Sequence, residues 1–284
     1  MLPPVLCYHR VGGSLELGVT RVGRSTFARQ MNALARAGWR PLTLNQFASN
    51  VQRGVVASRN TLLLSFDDGY ASLAEHVYPV LADMGFTATT FLITDYVGRL
   101  NTWDVRYTWD RLAHLDWDTI GRWQERGFDF ASHSASHARL TWLSDVEAAA
   151  ELERSREMLQ HRIGPRAARA VAYPFGARDE RIERLARAAG YQLGFGGVRG
   201  TGSSLALSRF PVYVWDVGQV PLGLQAGPLG TMGRLVAHAA NRCAVGTSLM
   251  RKLVSLQEIP RSHGGPHGVV SLVHVDRRPS DPAA

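Results

Sequence analysis

Short apolar runs alternate with segments of helical periodicity along most of this chain, and this alternation constrains the fold more than any other feature. Seven apolar runs are predicted to be strands: Val5–Tyr8, Thr61–Phe66, Phe86–Ile93, Phe128–Ser132, Ala170–Ala172, Tyr191–Phe195 and Phe210–Val214. Strands separated by helices favour a parallel sheet with helical cover, and seven such units in one chain favour a barrel over an open sheet. The sequence therefore predicts an α/β barrel.

Helices are predicted between these strands where apolar residues recur at helical spacing. Ser25 is expected to cap the first helix, and a second is expected over about residues 70 to 84, ending at Gly85. Two more are expected over about 144 to 161 and 179 to 189. In a barrel of this kind the chemistry lies where strands end and loops begin.

The pattern weakens after Asp216, which suggests where the main domain ends. We expect a catalytic domain over residues 1–216 and a less regular extension over 217–276 that packs on the barrel. The last residues, 277–284, are polar and contain proline, so a disordered tail is expected there.

The formal charge of +8 is the excess of 32 basic over 24 acidic residues. The basic residues are all arginines except Lys252, and they are spread along the chain rather than gathered in a block. Such a balance favours anionic surroundings in general without naming a partner, and we predict no nucleic-acid partner. The N-terminal residues lead directly into the first strand without a secretion signal, and no apolar run reaches the roughly 18 residues of a transmembrane helix. We expect a cytoplasmic protein, with peripheral membrane association as an alternative, and leave the oligomeric state open.

Two adjacent carboxylates, Asp67 and Asp68, follow the strongly apolar strand Thr61–Phe66. Successive side chains of extended backbone point to opposite sides, so the pair is suited to two different tasks. One carboxylate binds a metal in this interpretation, and the other takes up a proton. Gly69 then allows a backbone conformation that other residues rarely adopt. Alone, this sequence is more typical of a surface turn after a strand than of a catalytic site.

The segment His133–His137 (HSASH) also follows a predicted strand. Two imidazoles four residues apart lie on one face of a helical turn and can reach the same cation. With Asp68 they make a set of two histidines and one carboxylate, which leaves coordination positions open for water and substrate. This pattern predicts a catalytic metal site.

A third strand end carries Pro174, Phe175 and Gly176. Proline restricts one backbone dihedral and glycine frees another, so N–H groups between them can be held pointing into a pocket. Donors placed in this way can stabilise an oxyanion. Alone, a Pro-Phe-Gly sequence is more typical of an ordinary turn.

Together these stretches resemble carbohydrate esterase family 4, the polysaccharide deacetylases or NodB-homology domain. Phe66–Gly69 resembles the first family motif and His133–His137 the second, while Tyr173–Gly176 resembles the variant of the third motif in exopolysaccharide-type members. Leu6–Val11 is similar to the start of that subgroup. The resemblance covers roughly residues 5 to 216.

The resemblance implies a distorted (β/α)7 barrel and a hydrolase of carbon–nitrogen bonds other than peptide bonds. It implies that Asp67 is the general base and that the backbone N–H of Phe175 joins the oxyanion hole. Asp68, His133 and His137 would hold a divalent metal, zinc first, with Co²⁺, Ni²⁺ or Mn²⁺ as alternatives, and no other cofactor is expected. The implied reaction removes the N-acetyl group of an amino sugar in a glycan or glycan precursor and releases acetate.

The general acid is the least defined part of this comparison. Many family members place an arginine before the third motif, where this chain has Ala172, and a histidine after a late strand. His274 ends a late apolar run and is a candidate acid, although His263 and His267 lie nearby.

Other residues have two interpretations each. His9 either contributes to the pocket or holds a loop, and Arg209 either pairs with a pocket carboxylate or lies on the surface. The tryptophans between Trp103 and Trp123 either offer stacking faces for sugar rings or pack in the core.

Two other functions remain open at this point. The same metal site is compatible with hydrolysis of another carbon–nitrogen bond, in a small acetylated or cyclic amide metabolite. The second is a sugar-binding relative without turnover, because the motifs late in the sequence match the family weakly.

Overall fold

A computed structural model describes residues 2–13, 19–54, 60–102 and 112–218, together with Val220, Pro221 and Leu224. The strands are β1 (Val5–Tyr8), β2 (Arg10–Val11), β3 (Arg21–Val22), β4 (Arg40–Pro41), β5 (Thr61–Phe66), β6 (Thr89–Leu92), β7 (Asp129–Ser132), β8 (Ala170–Ala172), β9 (Leu193–Phe195) and β10 (Phe210–Pro211). The helices are α1 (Arg24–Arg36), α2 (Leu44–Arg53), α3 (Ser72–His76), α4 (Tyr78–Asp83), α5 (Trp117–Glu125), α6 (Asp145–Ile163) and α7 (Glu180–Ala188).

The central sheet of the described residues is parallel throughout, with strand order β10-β1-β5-β6-β7-β8-β9 and β4 beside β5. All seven predicted strands occur in the predicted order, and those at 86–93, 128–132, 191–195 and 210–214 are shorter than expected. Residues 207–212 close the curved sheet, since Leu207 pairs with Phe195 and Phe210 pairs with Leu6. The predicted distorted (β/α)7 barrel is confirmed.

Alternation along the strands separates two packed faces. Side chains on the concave face form one apolar cluster: Val5, Leu63, Phe91, Ala131, Ala170, Ala172, Leu193, Phe195 and Leu207, with Leu44, Phe47 and Ala48 from the start of α2. The intervening residues, such as Leu6 and Leu64, pack outward in a second cluster that includes α1. Because successive side chains of a strand point to opposite faces, this phase also decides which polar residues face the interior.

Two helix predictions needed correction. Residues 70–84 form two short helices rather than one, separated at Val77. Pro79 explains the break, because proline lacks an N–H donor and its ring clashes with the preceding turn. The first helix is capped by Gly23 without a side-chain hydrogen bond, so Ser25 lies inside its first turn.

The predicted helices before and after β8 are confirmed. Ser144 and Glu147 form a capping box at the start of α6, and the Asp179 side chain caps α7. The extension predicted over 217–276 lies outside the described residues beyond its first few positions, and the predicted tail over 277–284 lies outside them entirely. Among the described residues, no helix has the length and apolar character that crossing a membrane requires.

Candidate active site

Asp67 and Asp68 lie at the carboxyl end of β5 and are both buried. Asp67 continues the phase of the inward-facing residues Leu63 and Ser65, so its side chain enters the barrel. Asp68 would point outward if the strand continued, but its left-handed backbone (φ +68°) starts a turn instead. Gly69 is also left-handed, and a Cβ atom there would lie 2.7 Å from a methyl group of Leu92. Both observations favour glycine at this turn.

Asp68 is the carboxylate on which the two predicted imidazoles converge. Its Oδ1 atom lies 3.5 Å from Nε2 of His133 and 3.5 Å from Nε2 of His137. The expected helical turn between these histidines is wrong, because residues 133–137 form a bent loop with positive φ at Ser134 and His137. The spacing brings the side chains together through this loop, not through helical periodicity.

Contacts on the far side orient the site. Nδ1 of His133 lies 2.8 Å from the Ala172 carbonyl oxygen, which only accepts, so Nδ1 carries the proton and Nε2 presents its lone pair. Burial lowers the pKa of His133, which keeps this imidazole neutral near pH 7. His114 similarly donates from Nδ1 to the Asp68 carbonyl oxygen at 2.8 Å. The first contact orients the His133 imidazole as a metal ligand, and the second contacts the Asp68 backbone.

The donor set fits a divalent cation. Ligand atoms of Asp68, His133 and His137 lie within 4.8 Å of one another. Two ligand atoms that are each about 2.1 Å from one tetrahedral ion lie about 3.4 Å apart. The two nitrogen–oxygen distances of 3.5 Å agree with that geometry. Nitrogen and oxygen donors with open positions are typical of a catalytic zinc site, and related metals accept the same ligands.

Asp67 is held by a buried ion pair. Arg209 donates from Nη1 to Oδ1 of Asp67 at 2.7 Å and from Nε to the Gly196 carbonyl oxygen at 3.0 Å. Burial alone would raise the pKa of Asp67, but the Arg209 guanidinium holds this pKa well below its usual range. The other oxygen of Asp67 lies 3.7 Å from Nε2 of His133. Asp67 is thus an ionised carboxylate beside the three candidate ligands.

The structure decides between the two interpretations of Arg209. It is a partner of a pocket carboxylate and not a surface residue. It reaches Asp67 because residues 207–209 run beside β9 before entering β10, where they close the barrel. This guanidinium lies close to Asp67 in a chain that has Ala172 where many family members place an arginine. Because Arg209 and Asp67 lie 142 positions apart in the sequence, local patterns could not identify this contact.

Replacing Arg209 with methionine is expected to lower the free energy of unfolding at pH 7 by about 3–5 kcal/mol, because it leaves the Asp67 charge buried without a partner. In the wild type the pKa of Asp67 is depressed, so its contribution is present above the unfolded-state pKa and is lost as pH falls through the folded-state pKa. In the variant, burial raises that pKa, so the deficit should shrink as the pH falls. Denaturant unfolding in the presence of a chelator measures both effects.

A surface pair provides the control for this measurement. Arg181 donates to the largely exposed Asp145 at 2.8 Å. Arg181→Met should cost no more than about 1 kcal/mol. An Arg209→Met variant that is no less stable than this control would contradict the assignment of Arg209 as the charge partner of Asp67.

His9 follows β1 and lies beside Asp67 from the other side. Its Nε2 atom is 3.9 Å from Oδ2 of Asp67, and its buried Nδ1 has no hydrogen-bond partner among the described residues. Burial lowers the pKa of His9 to about 4. With Cys7 and Asp67 it forms a second group of ligand-type atoms within 4.8 Å. The Arg209 cation already neutralises Asp67 there, and burial raises the pKa of the Cys7 thiol, so this group is a poor cation site.

Phe175 lies next to His137, one of the candidate metal ligands. Its backbone is left-handed (φ +60°), and its ring centroid is 4.7 Å from that of His137. The guanidinium of Arg139 lies over the Phe175 ring at 5.9 Å and over the Trp142 ring at 5.1 Å. Trp142 is 42% exposed. Arg139 and Trp142 belong to none of the sequence motifs, although both follow the second histidine within five residues.

Two of the predicted tryptophans are not part of this site. Trp123 is buried and Trp117 packs against the core, so these two do not offer open stacking faces. Trp103 and Trp109 lie outside the described residues, as do the candidate acid His274 and its neighbours His263 and His267.

Comparison with known proteins identifies the family of this fold and site. The sequence model of the family described as polysaccharide deacetylase matches residues 54–194, a stretch that contains Asp67, Asp68, His133, His137 and Phe175. Residues 54–194 form a domain of the polysaccharide deacetylase family. This family consists of hydrolases, and the resemblance noted from the motifs is confirmed.

Two curated relatives align with this chain. YxkH of Bacillus subtilis, named as a polysaccharide deacetylase, is 26% identical over 191 residues, which cover 67% of this chain and 63% of YxkH. The alignment thus spans less than two thirds of that relative. A poly-beta-1,6-N-acetyl-D-glucosamine N-deacetylase of Staphylococcus epidermidis is 26% identical over 212 residues, covering 67% of this chain and 70% of the relative.

Solved structures share the fold of this chain. The deacetylase PplD of Streptococcus pyogenes, in complex with acetate, has a TM-score of 0.67 at 20% identity and covers 76% of this chain and 94% of PplD. IcaB of Ammonifex degensii has a TM-score of 0.63 at 23% identity and covers 84% of this chain and 96% of IcaB. At these identities the likeness concerns the fold.

Proposed function

We propose that this polysaccharide deacetylase removes the N-acetyl group of an amino sugar in a glycan or glycan precursor and releases acetate. In this proposal Asp68, His133 and His137 hold a divalent cation, and Asp67 is the general base. The observation that carries the proposal is the convergence of both imidazoles on one oxygen of Asp68 at 3.5 Å, beside the ionised Asp67. The relative that acts on poly-beta-1,6-N-acetyl-D-glucosamine supports this class of substrate.

The residues divide the reaction between them. Asp68, His133 and His137 would hold a divalent ion, which would supply an acidified water and polarise the acetyl carbonyl oxygen. Asp67 takes a proton from the attacking water at Oδ2, because Oδ1 is engaged by Arg209. The backbone N–H of Phe175 stabilises the negative charge that develops on the carbonyl oxygen. The carbon–nitrogen bond then breaks, and the sugar nitrogen leaves with a proton.

His9 is our candidate for the group that protonates the sugar nitrogen. With a pKa of about 4 it is neutral at pH 7 in the free protein, so it must receive a proton during the reaction. Oδ2 of Asp67, the atom that carries this proton, lies 3.9 Å from Nε2 of His9. The proton passes from water to Asp67, to His9 and then to the amine, which balances the reaction.

Replacing His9 with glutamine should lower kcat for an N-acetylated sugar by about 10²-fold, the lower end of general acid–base effects, with metal content unchanged. An activated aryl acetate needs no proton on its leaving group, so its hydrolysis should keep nearly the wild-type rate. Steady-state kinetics on both substrates measure this difference. Equal losses on both would contradict the proton-transfer role and assign His9 a structural one.

A substrate panel tests the reaction itself. Acetate and new primary amine are measured after incubation with N-acetylglucosamine oligomers, the monosaccharide, a cyclic imide and a formamide. We expect equimolar acetate and amine from the glycans. Turnover of the small amides alone would favour the other carbon–nitrogen bond, whereas glycan binding without turnover of any substrate would indicate a non-catalytic relative.

The predicted cytoplasmic location, the peripheral membrane association and the domain limits at residues 216 and 276 stay predictions. The identity of the metal is part of the proposal, and zinc is the metal that we propose.

A further inference from the structure

The loop between the two histidines adopts a conformation that its sequence does not favour. Ser134 and His137 have φ values of +62° and +61°. Left-handed backbone in residues other than glycine costs on the order of 1–3 kcal/mol at each position and persists only where surrounding contacts hold it. The contacts that hold this loop therefore decide where both imidazoles point.

Glu151 on α6 makes the most extensive of these contacts. Its Oε2 atom accepts hydrogen bonds from the backbone N–H of Ala135 at 3.1 Å and of Ser136 at 2.9 Å. Its Oε1 atom accepts from the Ser136 hydroxyl at 2.8 Å. The Glu151 side chain is only 12% exposed. One carboxylate thus binds the middle of the loop through three donors, and hydrogen bonds to a charged acceptor are about twice as strong as neutral ones.

The opposite side of the loop is held by the segment that follows β6. The backbone N–H of Asp95 donates to the Ala135 carbonyl oxygen at 3.0 Å. Arg154 then joins the two sides, because it donates to Asp95 at 2.7 Å and to Glu151 at 3.3 Å. Arg154 is half-exposed, so its charge pair with Asp95 contributes little by itself. The largely buried Glu151 carboxylate is the member of this network that holds the loop.

We propose that Glu151 is a positioning residue of the metal site. It holds the His133–His137 loop in the conformation that directs both imidazoles at the cation bound by Asp68, and so determines the affinity for that cation. The proposal rests on the metal site of the proposed function, but it concerns metal affinity and not acetyl transfer.

Glutamine is the informative replacement, because it keeps the size of Glu151 and changes its chemistry. The carboxylate accepts from all three donors of the loop. An amide has one accepting oxygen, and its NH₂ group would face a donor of the loop. Glu153 provides a matched control, since it is exposed on the same helix and Glu153→Gln makes the same change in net charge.

The experiment is a calorimetric titration of the metal-free chain with Zn²⁺ or Co²⁺, using the wild type, Glu151→Gln and Glu153→Gln. Outer-shell partners of metal ligands are typically worth 10- to 100-fold in affinity, so we expect about that weakening in Glu151→Gln and none in Glu153→Gln. Thermal unfolding of the metal-free variants checks the fold. If Glu151→Gln fails to fold, Ser136→Ala removes one of the three donors and should weaken binding by a smaller factor. Wild-type affinity in Glu151→Gln would overturn the proposal, as would wild-type affinity in Ser136→Ala if Glu151→Gln does not fold. A wild-type chain that binds no metal would overturn it too.

Metal rescue separates this inference from the proposed function. Acetate release by Glu151→Gln should return towards the wild-type rate at saturating metal, whereas a loss that saturation does not relieve would count against a positioning role. A wild-type chain that binds metal but releases no acetate would refute the proposed function alone, because the titrations would still decide the role of Glu151.

Discussion

Replacing Asp67 with asparagine is expected to lower kcat for deacetylation by about 10²- to 10⁴-fold, the range that general acid–base catalysis contributes. The amide cannot take a proton from the attacking water, although it is nearly the same size as the carboxylate. The three candidate ligands are other residues, so one metal ion per chain should remain bound. Steady-state acetate release and metal analysis of the purified variant measure the two quantities.

Two variants serve as controls for the base assignment. Asp68→Asn should lose the metal and recover part of its activity at high metal concentration, whereas Asp67→Asn should not recover. Asp145→Asn removes a surface carboxylate that is also paired with an arginine, and should keep wild-type activity. Near-wild-type turnover in Asp67→Asn would refute the role of Asp67 as the base.

Removal of the metal is expected to abolish acetate release and to destabilise the chain. A ligand that binds only the folded state stabilises that state by about 2.7 kcal/mol when its free concentration is 100 times its dissociation constant. A chelator removes this contribution. Activity and unfolding temperature should both return when Zn²⁺ or Co²⁺ is added in excess of the chelator. Calorimetry and acetate release on the same samples measure the two effects.

The Asp68→Asn variant is the matched control for metal removal. Since this variant is expected to hold no metal, the chelator should leave its unfolding temperature unchanged. Full activity of the wild-type chain after exhaustive chelation would contradict the metal-dependent mechanism.

The strands and the main site residues were predictable for one physical reason. Buried parallel strands are short apolar runs, and the polar residues that end them must lie at one edge of the sheet. Asp67 and His133 follow such runs in phase with inward-facing residues, so both enter the barrel. Their convergence could therefore be expected without knowledge of the loops.

The remaining contacts depend on tertiary structure that local patterns do not carry. The His133–His137 spacing suggested a helical turn, because periodicity does not reveal that Glu151 holds the loop from a separate helix. Arg209 reaches Asp67 from 142 positions further along the chain, at the place where the barrel closes. Its partner could not be chosen from the sequence, although its pairing with a pocket carboxylate had been one interpretation.

The most direct test of the central claim is a diffraction experiment on crystals of the Zn²⁺- or Co²⁺-loaded chain, with data collected at the metal absorption edge. The account predicts one anomalous peak about 2.0–2.2 Å from a carboxylate oxygen of Asp68 and from Nε2 of His133 and His137, with Asp67 beside it and still paired with Arg209. A peak coordinated by other residues, or no peak between Asp68 and the two imidazoles, would contradict it.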